Sequence, residues 1–73
     1  MRWSEEQLLA HYEHVSATAR DFVDVNFIGV DRRRDTVIVG VRARDPSAEV
    51  RLLSRVGEPL AFELSLGRLR PLT

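Results

Sequence analysis

The sequence predicts an α+β two-layer sandwich with element order α-β-β-α-β, a three-stranded mixed sheet in the order 2-1-3, and two helices on one face. Three observations lead there: a capped helical stripe at the start, a β-branched run at 36–41, and a second helix bracketed by its own start and stop signals before a last alternating segment.

Ser4 followed three positions later by Gln7 is a capping-box pattern, and Trp3 before it is placed to pack on Leu8 as a hydrophobic staple. Leu8, Tyr12, Val15 and Ala19 recur at helical spacing, so the first helix runs from about Ser4 to about Arg20 with Glu5, Glu6, Glu13 and Arg20 off the stripe. From Phe22 the period becomes two: Val23, Val25 and Phe27 alternate with Asp24 and Asn26. The phase then slips, with Ile28 and Val30 on the opposite phase around Gly29, which fits a bulge or a segment covered on both faces, a bulge near Gly29 being favoured.

A polar turn, 31–35, leads to Thr36-Val37-Ile38-Val39-Gly40-Val41, whose β-branched density predicts a strand paired with the first as a hairpin. Asp45-Pro46 is an N-cap followed by proline at the first helical position, and Gly57 with Pro59 supplies the stop. Ala48, Leu52, Leu53 and Val56 form the inward stripe of this second helix, with Glu49, Arg51 and Arg55 expected in water. Leu60, Phe62, Leu64 and Leu66 alternate with Ala61, Glu63 and Ser65 as a third strand. Residues 68–73 continue the alternation, but Pro71 limits them to an edge or an extended tail. A helical crossover makes the second and third strands parallel, and placing the third beside the first gives the order 2-1-3.

With 73 residues, all of them form one domain, because a chain this short buries only about 60% of the surface its unfolded form exposes. Hydrophobic residues at 44% and charged residues at 30% exclude a disordered tail, and the apolar runs are too short for a helical membrane span. Without cysteine, neither a disulfide nor a thiolate zinc site supplements the core. The N-terminal residues do not read as a secretory signal, so the expected location is cytoplasmic. Eleven arginines and no lysine face eleven acidic residues, so no global field draws the chain to nucleic acid or lipid.

Four sets of residues merit weighing as sites. His11 and His14, with Gln7 one turn earlier, are the one metal-like constellation, but Gln7 is a weak ligand and no carboxylate completes the set, so a solvated helix face is preferred and no cofactor is expected. Arg32, Arg33 and Arg34 could grip anions, yet Asp31 and Asp35 flank them and no aromatic platform accompanies them, which makes nucleic acid the alternative rather than the leading partner. Both histidines lie on one helix, no serine sits in a nucleophile elbow, and a hairpin tip gives Asp31 and Asp35 no walls, so no catalytic residue and no small-molecule substrate is assigned. There remain Ile28, Val30 and Ile38, expected on the open outer face of the sheet, and Leu69 and Leu72 in the tail. This apolar surplus points to a non-enzymatic protein-interaction module, a homodimer built on the sheet face or a strand edge.

The strand Phe27-Ile28-Gly29-Val30-Asp31, the basic turn, Asp35-Thr36-Val37-Ile38-Val39-Gly40-Val41, the helix start Asp45-Pro46-Ser47-Ala48-Glu49 and Gly67-Arg68-Leu69-Arg70-Pro71-Leu72 together resemble the small prodomains of actinobacterial secreted serine proteases of the streptogrisin and α-lytic type. The resemblance covers 27–72 and implies a non-catalytic folding assistant or inhibitor that docks a sheet edge or its tail on a protease. Neither a signal peptide nor a following protease is expected from the residues read, so an action in cis is not expected.

Overall fold

The computed structural model describes residues 3–65, in the order α1 (Glu5–Thr18), a 3-10 turn (Ala19–Asp21), β1 (Val25–Asp31), β2 (Thr36–Val41), α2 (Pro46–Val56) and β3 (Ala61–Leu64). Leu66 and the tail with Leu69 and Leu72 lie outside the described residues. The capping box closes as expected: Gln7 N–H donates to Ser4 Oγ at 3.0 Å, and Ser4 N–H donates to Gln7 Oε1 at 2.8 Å. At the start of α2, Asp45 Oδ1 accepts from Ala48 N–H at 3.3 Å, and Pro46 occupies the first turn, where a missing N–H costs nothing. Gly57 ends α2 at φ 84°, a left-handed conformation that suits glycine.

β1 and β2 form the expected hairpin, and β2 and β3 are parallel as a helical crossover requires. The strand order is β1-β2-β3, which corrects 2-1-3: β3 lies against β2 and not against β1. The physical reason is burial. Val37, Val39 and Val41 have no exposed surface and Ile38 is only 8% exposed, so this continuous apolar run occupies the one position with a strand on each side.

One core lies on the helical face of the sheet. Val15 from α1, Ala19 from the 3-10 turn, Val23, then Val37, Val39 and Val41 from β2, and Ala48 and Leu52 from α2 form a single buried cluster, with Tyr12, Val25, Ile28, Val30, Val56, Leu60 and Phe62 packed against it. Both helical stripes therefore face the same layer, as their periodicity requires.

Glu49, expected in water, is instead 7% exposed. Arg44 reaches it with two parallel bonds, Nε to Oε2 at 2.7 Å and Nη2 to Oε1 at 2.8 Å, and Asp45 N–H adds a third at 3.2 Å. These bonds tie the β2–α2 connection to the first turn of α2, where a negative charge is also favoured by the helix dipole. The Arg44 guanidinium holds the Glu49 carboxyl below its ordinary value, against the opposing effect of burial, and the Asp45 N–H assists. A folded-state pKa lowered in this way contributes stability that is complete above the ordinary 4.5 and is lost as pH falls through the lower folded value. Glu49→Gln is expected to cost about 1 to 2 kcal/mol at neutral pH, since Arg44 remains half exposed and partly screened, and to flatten the acid limb of stability against pH in urea titrations. An unchanged acid limb would remove the pair from the account of stability.

Candidate interaction surface

Cross-strand partners share a face of the sheet, so the register assigns every strand residue to a side. Val30 pairs with Val37 and Ile28 with Val39, which puts Ile28 and Val30 on the helical side, half-buried against the core. The expectation that these two line the outer face is thereby corrected. The cause is the position of the bulge: the register shifts between Val25 and Phe27, at Asn26, and not at Gly29. Moving the irregularity from Asn26 to Gly29 inverts the side of the residues between them, Phe27 and Ile28, and Val30, two residues on, shares the side of Ile28.

The outer side consequently carries Phe27 and Gly29 from β1, Ile38 and Gly40 from β2, and Ala61 and Glu63 from β3. Phe27, in phase with Val23 and Val25 in the sequence alternation, is instead 42% exposed on the outer side, and its ring lies across Gly40. A Cβ added to Gly40 would overlap that ring, so glycine is what permits the ring to lie flat on the sheet. Ile38 is on the outer side as expected, but at mid-sheet between Gly29 and Ala61 it forms a floor rather than a projecting contact. Beside the ring opens a shallow depression of about 500 Å³, lined by Phe27, Gly29, Asp31, Arg33 and Ile38 among others. Gly29 has open space where a side chain would be.

β1 pairs with β2 along one edge, and its other edge has no strand partner among the described residues. Its seven residues, Val-Asn-Phe-Ile-Gly-Val-Asp, include a single charge, at the end. Apart from the bulge, β1 lacks the central charge or proline that commonly protects an edge strand. β3 is shorter, four residues, and carries Glu63. At the bulge Asn26 Nδ2 donates to Ser65 Oγ at 2.7 Å, and Arg42 Nη1 binds Asp24 Oδ1 at 2.9 Å, so the base of β1 is anchored to the rest of the sheet.

The hairpin tip is organised by its own carboxylates. Asp31 Oδ1 accepts from the N–H groups of Arg33 and Arg34 at 3.0 and 3.2 Å, and Asp31 Oδ2 accepts from Arg34 Nε at 2.9 Å. The Arg34 side chain, and then its backbone N–H, hold the Asp31 carboxyl below its ordinary value. Arg32 pairs with Glu5 on α1, and Asp35, at φ 59°, accepts from Trp3 N–H at 2.6 Å. Two of the three arginines offered for anion binding thus have a carboxylate partner, while Arg33 has none among the described residues.

His11 and His14 have ring centroids 6.4 Å apart, tilted by 54°. They share a groove of about 360 Å³ with Trp3, Gln7 and Pro59. His11 Nε2 lies 3.0 Å from Gly57 O, which requires a proton on Nε2, and Gln7 Oε1 already serves the helix cap. Among the described residues no three His, Cys, Asp or Glu side chains converge as a metal site.

The geometry can be set beside known proteins. No family model, curated protein or solved structure matches this chain. Among the described residues no helix is long and apolar enough to cross a membrane. Of the exposed large apolar side chains among the described residues, Trp3, Leu9, Val50, Leu64 and Phe27, only Phe27 stands beside both a strand edge without a partner and a depression. The sequence signal for it was an aromatic two residues before Gly29 and thirteen before Gly40, legible only once the bulge is placed.

Proposed function

We propose that this chain is a non-enzymatic interaction module that associates with a second copy of itself through the β1 side of its sheet. The observation that carries this reading is the combination of Phe27, exposed over Gly40, with a seven-residue edge strand, uncharged up to its last residue, that has no strand partner among the described residues. Both helices pack on the other side of the sheet, so neither competes for this surface. The prodomain-like reading, in which a sheet edge docks on a protease, would use the same edge. For nucleic-acid binding, the ion pairs of Arg32 and Arg34 count as a cost, because a phosphate must displace a carboxylate already in place.

Light scattering over a concentration series tests the proposal: the mass is expected to rise from monomer to dimer. A monomer mass across the whole series would overturn it.

A further inference from the structure

We propose that the C-terminal half of α2 carries a binding site for a small aryl phosphomonoester: Arg51 and Arg55 grip the phosphate, the Ser54 hydroxyl donates to it, and the aryl group lies on Phe22. These four residues line one depression of about 300 Å³. The site uses no part of β1, so it stands apart from the self-association reading.

Helix geometry brings the donors together. Positions 51, 54 and 55 stand at i, i+3 and i+4, so their side chains share one face of α2. All three are exposed, whereas Leu52, next to Arg51 in the chain, is fully buried. Phe22 comes from the segment that follows the 3-10 turn. It is half-buried against the core, and its remaining surface is the apolar wall of the depression. Two planar guanidinium forks beside a hydroxyl match the several oxygens of a phosphate, and the adjoining ring suits a flat apolar group.

Charge says what covers this face. Arg32, Arg34, Arg42 and Arg44 each have a carboxylate partner, whereas no ion pair among the described residues includes Arg51 or Arg55. The acidic residues near them in the chain or in space are engaged elsewhere or stand apart. Glu49 is held by Arg44, Glu58 lines the histidine groove, and Asp21, next to Phe22, pairs with neither arginine. The carbonyl end of α2 favours a cation in its last turn, which accounts for Arg55 but not for Arg51. Two like charges one helical turn apart repel each other, and an anion bound between them removes that cost. The depression is shallow, so the dissociation constant is expected to be on the order of a millimolar.

The test is an NMR titration of the full chain with phenyl phosphate and, separately, with inorganic phosphate, at an ionic strength held constant with chloride. Phenyl phosphate is expected to shift the Ser54 and Arg55 amides and the Nε signals of Arg51 and Arg55 saturably, while the Arg33 Nε signal stays in place. It should bind about threefold or more tightly than inorganic phosphate, because only it covers the Phe22 ring. Arg51→Gln and Arg55→Gln should each weaken binding about tenfold, with the circular dichroism spectrum of the parent. Phenyl phosphate should also raise the melting temperature of the parent and leave that of the Arg51→Gln, Arg55→Gln double variant unchanged. Shifts spread evenly over the exposed arginines, or binding that survives both substitutions, would overturn the site. Equal binding of the two phosphates would overturn the aryl ligand and the role of Phe22.

Discussion

Leu52→Ala is expected to lower the free energy of unfolding by about 2 to 5 kcal/mol, the range for removing a large aliphatic side chain from a core. Leu52 is among the largest fully buried side chains and belongs to the cluster that joins α2 to Val37, Val39, Val41 and α1. A domain of 73 residues has only about 4 to 11 kcal/mol in total at ordinary stabilities per residue. The variant should therefore show a much lower urea midpoint, or no cooperative transition at all, while Leu52→Met, which conserves volume, should cost less than about 1.5 kcal/mol. A loss under 1 kcal/mol for the alanine variant would mean that α2 is not bound to the sheet through this face.

Gly40→Ala is the second large effect, and its sign runs against the usual preference for alanine over glycine in a strand. The added methyl would occupy the place of the Phe27 ring, which must swing outward and give up its packing on the sheet. The expected cost is about 1 to 3 kcal/mol, in the range of overpacking. Because the ring is half exposed, it has room to move, which keeps the loss toward the low end. In a Phe27→Ala background the same substitution should become neutral or stabilising, so a double-mutant cycle should return a coupling of at least about 1 kcal/mol. Additive effects would show that the ring does not rest on Gly40.

Much of the fold was legible because local signals agreed with one another. Ser4, Gln7, Asp45, Pro46 and Gly57 mark helix ends by groups that satisfy or omit specific backbone hydrogen bonds, and those bonds form as read. The 36–41 run was legible as a strand, and its lack of any polar interruption was also the sign of a central strand, which the order 2-1-3 would leave at an edge. Strand order depends on which edge a crossover returns to, and a single strand's periodicity carries no information on that.

The surface was less legible, for a reason located at Asn26. A bulge reverses the side to which every later residue of the strand belongs, and Gly29 was the more conspicuous residue for it. Without the bulge at Asn26, the alternation that starts at Val23 and Val25 puts Phe27 inward and Ile28 and Val30 outward. Glu49 was missed differently: helical periodicity put it off the apolar stripe, but the partner that buries it, Arg44, lies in the preceding loop where periodicity has nothing to say.

Sedimentation equilibrium on three chains tests the central claim most directly: the parent, Phe27→Asp and Val50→Asp. Phe27 and Val50 are both exposed apolar residues, the second more so at 65%, but Val50 lies on α2, away from the β1 edge. The account expects a dimer from the parent and from Val50→Asp, and a folded monomer from Phe27→Asp at the same concentrations. A parent that stays monomeric, or a Phe27→Asp chain that associates as the parent does, would contradict it.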